Sequence, residues 1–383
     1  MRLRQKRTRS SPSTELQGNV LMVTIPYEPL IDFVAAIFDR AGSSAAEAER
    51  IGRYLVTANL TGHDSHGVIR VPVYMRWLRN GDIVPDRTVQ LLVDTPSLAV
   101  IDGCFGYGQT VGPQAVAIGI EKCKAAGLAA ITLRNSGHIG RIGDWAEMAA
   151  AEGLVSIYFV TAAGSILVAP YGGVDRRLST APYCVGIPRG NGRPPIVLDF
   201  ATSMVAEGKA LVASRGGKKL PKGALIGPDG TLSEDPTLLY GPYEAQGPRD
   251  HSKGLGAIRA FGEHKGSGLA LICELLGGAL TGNGATSAPR RFANGMFAIF
   301  IDPARIDVGE FFDGEISRYV DFFKASRPAA GHDEVLVPGE PEARLRAERM
   351  ANGVPLPDDT WAAITATARD VGISEDLITR VTA

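Results

Sequence analysis

The chain is short of what would place it in a membrane, on a nucleic acid or around a metal. Its best candidate for a spanning helix, Leu269 to Leu280, is broken by Glu274, Gly277 and Gly278. A spanning helix needs about 20 consecutive apolar residues, so no membrane partner is expected. Lysine plus arginine (40) nearly cancels aspartate plus glutamate (41), leaving a formal charge of −1. The basic footprint of a nucleic-acid binder is therefore missing. The exception is the start of the chain, where Arg2, Arg4, Lys6, Arg7 and Arg9 crowd together with no apolar signal core behind them. Residues 1–25 are expected to form a basic, disordered tail. The four cysteines, Cys104, Cys123, Cys184 and Cys273, stand far apart with no CxxC pair. The six histidines lack metal-ligand spacing with thiols or carboxylates. No metal site is expected, and small buried thiols fit the reducing cytoplasm.

Intact nucleotide and nucleophile fingerprints are missing too. Gly106-Tyr107-Gly108-Gln109-Thr110-Val111-Gly112 lies between a strand pattern and a helix pattern, but Val111 stands where the third glycine of GxGxxG belongs. The next strand pattern, Leu128 to Leu133, ends in Arg134 and Asn135 rather than an acid for a ribose. A tight strand-to-helix turn is the better reading. No GxxxxGK[ST] loop occurs, and no GxSxG elbow surrounds Ser65.

What is present suits a large α/β (mixed α+β) protein, with 45% of 383 residues hydrophobic and no internal repeat. Residues 26 to 80 read as helical, including Pro29 to Ala41, a start near Ser44 and Val71 to Leu78. Strand and helix patterns then mix: strands at 97–102, 128–133, 155–160, 185–188, 196–200 and 296–301, with a helix over 268–280. Residues 215 to 259, rich in Gly, Pro and Lys, read as a long irregular segment. Helical patterns return over 344–351, 358–371 and 375–381.

Four polar clusters break these patterns. Gly62 to Arg70 packs His63, Asp64, Ser65, His66 and Arg70 into nine residues. Imidazole exchanges a proton near neutral pH, and guanidinium grips a carboxylate through paired hydrogen bonds. Arg134 to Gly143 follows a strand and adds His138, Arg141 and several glycines, which suits an anion at a helix start. Asp199 closes an apolar strand, where an acid needs a partner and could orient an imidazole. Glu263-His264-Lys265-Gly266 precedes a helix and also suits phosphate.

In order, the segments TANLTGHDSHGVIRVP, RNSGHIGRIGDWAE, VLDFATS, FGEHKGSGLALICELLGGALTG and VLVPGEPEARLRAERMANGVPL resemble the type-2 malate/L-lactate dehydrogenase family. The resemblance runs from about residue 26 to the C-terminus. It implies an oxidoreductase using NAD or NADP, a homodimer, and a non-Rossmann cofactor domain with a mixed sheet (96–309). A helical domain from both chain ends (26–95 with 310–383) would stand beside it. It also implies site residues. Ser65 and His66 would be the relay serine and catalytic histidine, with Asp199 as relay acid and His138 a rival proton acceptor. Arg70 and Thr180 would hold the substrate. Cofactor contacts would fall on His66, His138, Gly140, Arg141, Ile142, Val197, Leu198, Asp199, Phe200, Ala201, His264, Lys265, Gly339, Glu340, Pro341 and Glu342.

Two features depart from the family pattern. Ser179-Thr180-Ala181-Pro182 replaces a common Gly-Thr-Asn-Pro, removing an amide. Residues 236–255 look added, with Tyr240, Tyr243, Arg249 and His251, and read as a surface insertion more than a lid. The expected activity is interconversion of a small 2-hydroxy acid and its 2-oxo acid by hydride transfer. The alternatives are reduction of a cyclic imino acid and, remotely, a Ser65-His66-Asp199 hydrolase. Adjacent Ser and His pointing apart speak against the last.

Overall fold

The computed structural model describes residues 22–190, 192–216, 219–242, 251–287 and 291–382. The elements run β1 (Met22–Ile25), α1 (Tyr27–Arg40), α2 (Ala45–Leu60), α3 (Val71–Arg79), β2 (Gln90–Asp94), β3 (Leu98–Asp102), α4 (Gly108–Ala126), β4 (Leu128–Ser136) and α5 (Gly143–Ala151). There follow β5 (Val155–Ala163), β6 (Val168–Ala169), β7 (Pro182–Ile187), β8 (Ile196–Ala201), α6 (Glu207–Gly216), β9 (Leu225–Ile226), β10 (Leu232–Ser233), α7 (Thr237–Tyr240), β11 (Ala257–Arg259) and α8 (His264–Cys273). The chain closes with β12 (Ala293–Ile301), α9 (Phe312–Lys324), α10 (Glu340–Asn352), β13 (Val354–Pro357), α11 (Asp358–Asp370) and α12 (Glu375–Val381).

Three apolar cores hold these elements. The first joins both chain ends: Leu30, Phe33 and Phe38 of α1 and Leu55 of α2 pack with Ile364, Ala368 and Val381. The hydroxyl of Ser44 caps α2 by accepting from the Glu47 amide (3.3 Å). β1 pairs antiparallel with β13 and ties the two ends by main-chain bonds. Met22–Ile25 is therefore a strand and not part of the expected tail, and residues 1–21 lie outside the described residues.

The second core lies on a seven-stranded sheet of order β2-β3-β4-β12-β5-β7-β8. Only β3 and β4 run parallel, joined by the α4 crossover, and every other neighbouring pair is antiparallel. This is the mixed sheet the sequence led us to expect, unlike an all-parallel doubly wound one. The third core gathers Leu167, Val205, Leu225, Leu239, Tyr240 and Ile258 beneath the small sheet β10-β9-β11-β6. That sheet corrects the expectation of an irregular 215–259: its strands are two or three residues long, too short to show a period. Arg176 pins the end of this segment, donating to the carbonyls of His251, Gly254 and Gly256 (2.7–2.8 Å). The helix expected over 268–280 begins earlier, at His264, and its second half is π-helical over Glu274–Leu280.

Candidate active site

The site forms where the loop after β4 meets two tight turns after α2. Those turns, Asp64–His66 and Val68–Arg70, are fixed by Asn59. Its side chain donates to Asp64 Oδ1 (2.7 Å) and accepts from the Val68 amide (2.8 Å). Arg349 of α10 donates to Asp64 Oδ1 as well (2.7 Å), so the C-terminal segment braces the turn. Asp64 therefore serves as scaffold, and the turn faces His66 and Arg70 toward a cavity of about 1180 Å³.

His66 Nδ1 lies 3.1 Å from His138 Nε2, with the rings stacked at 9°. Tyr74 of α3 brings its hydroxyl to 2.6 Å from His138 Nδ1, and the Gln109 amide donates to that hydroxyl (2.9 Å). The Gln109 NH₂ group is donor-only, so it fixes one end of the chain. Tyr74 then donates to His138 Nδ1, His138 donates through Nε2 to His66 Nδ1, and His66 carries its proton on Nε2. The alternative rotor of Tyr74, toward the His138 carbonyl (3.3 Å), reverses the order and leaves Nε2 of His66 an acceptor. Both imidazoles titrate well below 6.5: burial is the main cause, and the Arg70 charge adds to it. Both are thus neutral at pH 7.

Arg70 donates through Nε to the Ser65 carbonyl (2.6 Å) and through Nη2 to Glu207 of α6 (3.3 Å). The start of α4 offers no room for a phosphate: a Cβ on Gly108 would stand 2.2 Å from the His138 carbonyl. The glycine-rich turn there packs against the loop that carries His138 instead.

These features lie on a chain whose residues 25–365 match the malate/L-lactate dehydrogenase family pattern. The protein belongs to the malate/L-lactate dehydrogenase family. It is 37% identical over 357 residues to hydroxycarboxylate dehydrogenase B of Escherichia coli, covering 92% of this chain and 95% of that one. It is 30% identical to the Δ1-pyrroline-2-carboxylate/Δ1-piperideine-2-carboxylate reductase of Pseudomonas syringae pv. tomato, over 86% of this chain and 92% of that one. Among solved structures, sulfolactate dehydrogenase of Methanocaldococcus jannaschii superposes with a TM-score of 0.79 at 29% identity, covering 94% of this chain and all of that one (100%). Membership makes the protein an oxidoreductase, and its fold is the family's.

In this family member the cavity gathers many of the residues expected from sequence. Ser65, His66, Arg70, His138 and Thr180 line it. So do Gly140 and Ile142, the β8 end at Asp199, Phe200 and Ala201, and Pro341 and Glu342. Other expected residues stand elsewhere. Val197 is buried in the sheet core and Leu198 faces outward. Glu340 pairs with Lys324 and accepts from the Val337 amide (3.0 Å), beside Gly339. His264 and Lys265 open α8, where the His264 ring meets Tyr171 (6.0 Å) rather than the cavity. Arg141 is buried and already paired with Asp144 (2.8 Å) and Glu147 (2.6 Å). Burial opposes its charge, but the two carboxylates overcome this and hold it protonated.

The expected relay takes a different form. Asp199 accepts from the Gly143 amide at the start of α5 (2.7 Å). Among the described residues no hydrogen bond joins Asp199 or the Ser65 hydroxyl to either imidazole; His66 instead pairs with His138. Nor is the added segment only a surface feature. Tyr240 is fully buried and donates to Glu207 (2.5 Å), and His251 lines the cavity. Tyr243 and Arg249 lie outside the described residues.

Sequence reasoning missed Tyr74, Gln109, Glu207 and Glu274. Glu274 is buried in the π-helical turn, accepting from Thr161, Ser179 and Thr286 (2.6–2.8 Å). It fixes the loop that carries Thr180 and Ala181, where Ala181 is held at φ 26°. The signal was available: Glu274 interrupts an otherwise apolar helix, and a buried acid needs donors.

Proposed function

We propose that this protein interconverts a small 2-hydroxy acid and its 2-oxo acid with NAD or NADP as hydride carrier. The observation that carries the reading is the His66–His138 pair (3.1 Å) beside Arg70 in one large cavity. The donor set suits a nicotinamide nucleotide. Gly140, Thr180, Asp199 and Ala201 offer hydrogen-bonding groups, Phe200 a ring face, and Arg76 and Lys209 exposed cations for phosphates. The nicotinamide, when bound, supplies or takes the hydride.

The protein's part is proton transfer and orientation. His138 engages Nδ1 of His66, which leaves Nε2 of His66 to meet the substrate oxygen. Both nitrogens of His138 are already engaged, by Tyr74 and by His66. This supports His66 as the group that touches substrate and His138 as the next in line. In oxidation, neutral His66 takes the hydroxyl proton. In reduction, the protonated pair gives a proton to the developing alkoxide. Arg70 holds the substrate carboxylate.

The relative named as a cyclic imino acid reductase supports a second reading, in which C=N replaces C=O at the same site. The test is the loss of reduced-nicotinamide absorbance with NADH or NADPH against a panel of 2-oxo acids and one cyclic imine. Turnover of an oxo acid is the expected result and selects the cofactor at once. Turnover of the imine alone assigns the second reading, and no turnover of either rejects both. The reading carries a homodimer, to which the exposed aromatics Phe311, Tyr319 and Phe322 offer apolar area. Sedimentation checks this. Four free thiols suit a cytoplasmic setting.

A further inference from the structure

The carboxylate-binding guanidinium is not alone. Glu207 Oε2 lies 3.3 Å from Arg70 Nη2, and both side chains are only about one-fifth exposed (21% and 18%). The other oxygen, Oε1, accepts from the Tyr240 hydroxyl at 2.5 Å. Tyr240 is fully buried and closes α7, in the segment that looks added relative to the family. Glu207 itself opens α6, which presses on the catalytic turn: a Cβ on Gly208 would stand 2.3 Å from Ser65 Cβ. The acid is thus held from two sides and faces the same cavity as His66 and Arg70.

A carboxylate fixed beside the substrate's anion site has two chemical consequences. It accepts a hydrogen bond from a hydroxyl, amide or N–H on the substrate, and it repels a second carboxylate placed there. The other charged groups on the cavity wall do not cancel it. Arg76 and Lys209 are exposed to water, where charges are screened. His63 is within 3.8 Å of Glu342. We infer that Glu207, positioned by Tyr240, is the specificity-determining residue. It selects monoanionic 2-oxo or 2-hydroxy acids whose far side bears a hydrogen-bond donor, and it excludes dianions. This rests on the proposed acid-binding role of Arg70.

The test uses two isosteric, unreactive acids. Oxamate carries one carboxylate and an amide N–H₂, whereas oxalate carries a second carboxylate in its place. Each is titrated by calorimetry into the full-length protein with reduced nicotinamide nucleotide present, for the unaltered protein, Glu207→Gln and Tyr240→Phe. The unaltered protein is expected to prefer oxamate by at least about tenfold, since a site built around a hydrogen bond rejects the analogue that lacks it. Glu207→Gln, whose amide also donates, is expected to bring the ratio to within about threefold of unity or invert it. Tyr240→Phe keeps the charge, frees its position and is expected to give an intermediate ratio. It also serves if Glu207→Gln does not fold. Equal ratios in all three proteins, or a preference of the unaltered protein for oxalate, overturn the inference and leave the dehydrogenase reading standing. Failure to bind either acid, together with no oxo-acid turnover, rejects the reading on which it rests.

Discussion

Two buried polar clusters lie three residues apart in one loop, and they are built in opposite ways. Around Arg141 one guanidinium meets two carboxylates, Asp144 at 2.8 Å and Glu147 at 2.6 Å. Among the described residues no carboxylate bonds His138, whose side-chain partners are a second imidazole and a phenol that an amide holds in turn. In the first cluster the carboxylates hold the Arg141 guanidinium protonated against its burial. The second is kept neutral by burial but changes state with a single proton, which a rotating Tyr74 hydroxyl accommodates. A buried ion pair is architecture, whereas a buried neutral base pair is a store for a moving proton.

The largest effect expected tests the second half of that contrast. His66→Ala should lower turnover about 10²–10⁴-fold, the usual range for a general acid–base, with folding intact. Steady-state kinetics with the best substrate of the panel check it. Unchanged turnover would move the substrate-facing role to His138. The next tests the first half. Arg141→Met should cost about 3–5 kcal/mol of stability, because it strands Asp144 without its counter-charge. Adding Asp144→Asn should recover a large part of the loss. Urea unfolding of the two variants decides, and a single variant as stable as the parent would remove the architectural role.

How much of this was legible follows the same division. The helices of both chain ends and most strands of the large sheet show in the sequence because each has a period long enough to read. Three of the five motifs carry Ser65, His66, Arg70, His138 and Asp199, which the fold brings to one cavity. Their bonding was not legible. His66 and His138 are 72 positions apart, and nothing local says that they meet each other rather than Asp199. Tyr74 reads as one more aromatic on the apolar face of α3. Only the rule that a buried phenol needs a partner marks it. Glu207 follows the VLDFATS motif without belonging to it, and Tyr240 sits in a segment that looked dispensable. The short strands of the small sheet exist through pairing alone.

Tyr74→Phe sharpens the comparison by removing one hydroxyl from the proton store. It leaves His138 Nδ1 without its donor, which should lower kcat about tenfold, the scale of one unsatisfied buried hydrogen-bonding group. A donor to the neutral imidazole also disfavours the charged form, so its loss should raise the apparent pKa of the pair toward 6.5. The acid limb of the rate profile for hydroxy-acid oxidation should move up accordingly. A profile that keeps its shape while the rate falls would mean that Tyr74 supports only packing.

The smallest effect is on stability against pH, and its sign distinguishes the two clusters. His66 and His138 titrate below 6.5 in the folded protein and near 6.5 once unfolded. Below that pH the unfolded chain takes up the proton first, so stability falls on acidification until the folded value is reached. Each imidazole contributes a slope of at most about 1.4 kcal/mol per pH unit. Asp144 works the other way: burial raises its carboxyl despite Arg141, so the folded state takes up that proton more readily and the acid loss is partly offset. The difference between the unaltered protein and His138→Asn isolates one imidazole from this background. Urea unfolding of both between pH 7.5 and 5.5 should give a shallower fall for the variant. Parallel curves would mean that His138 takes up its proton equally readily in the folded and unfolded states, and the contrast between the two clusters would collapse.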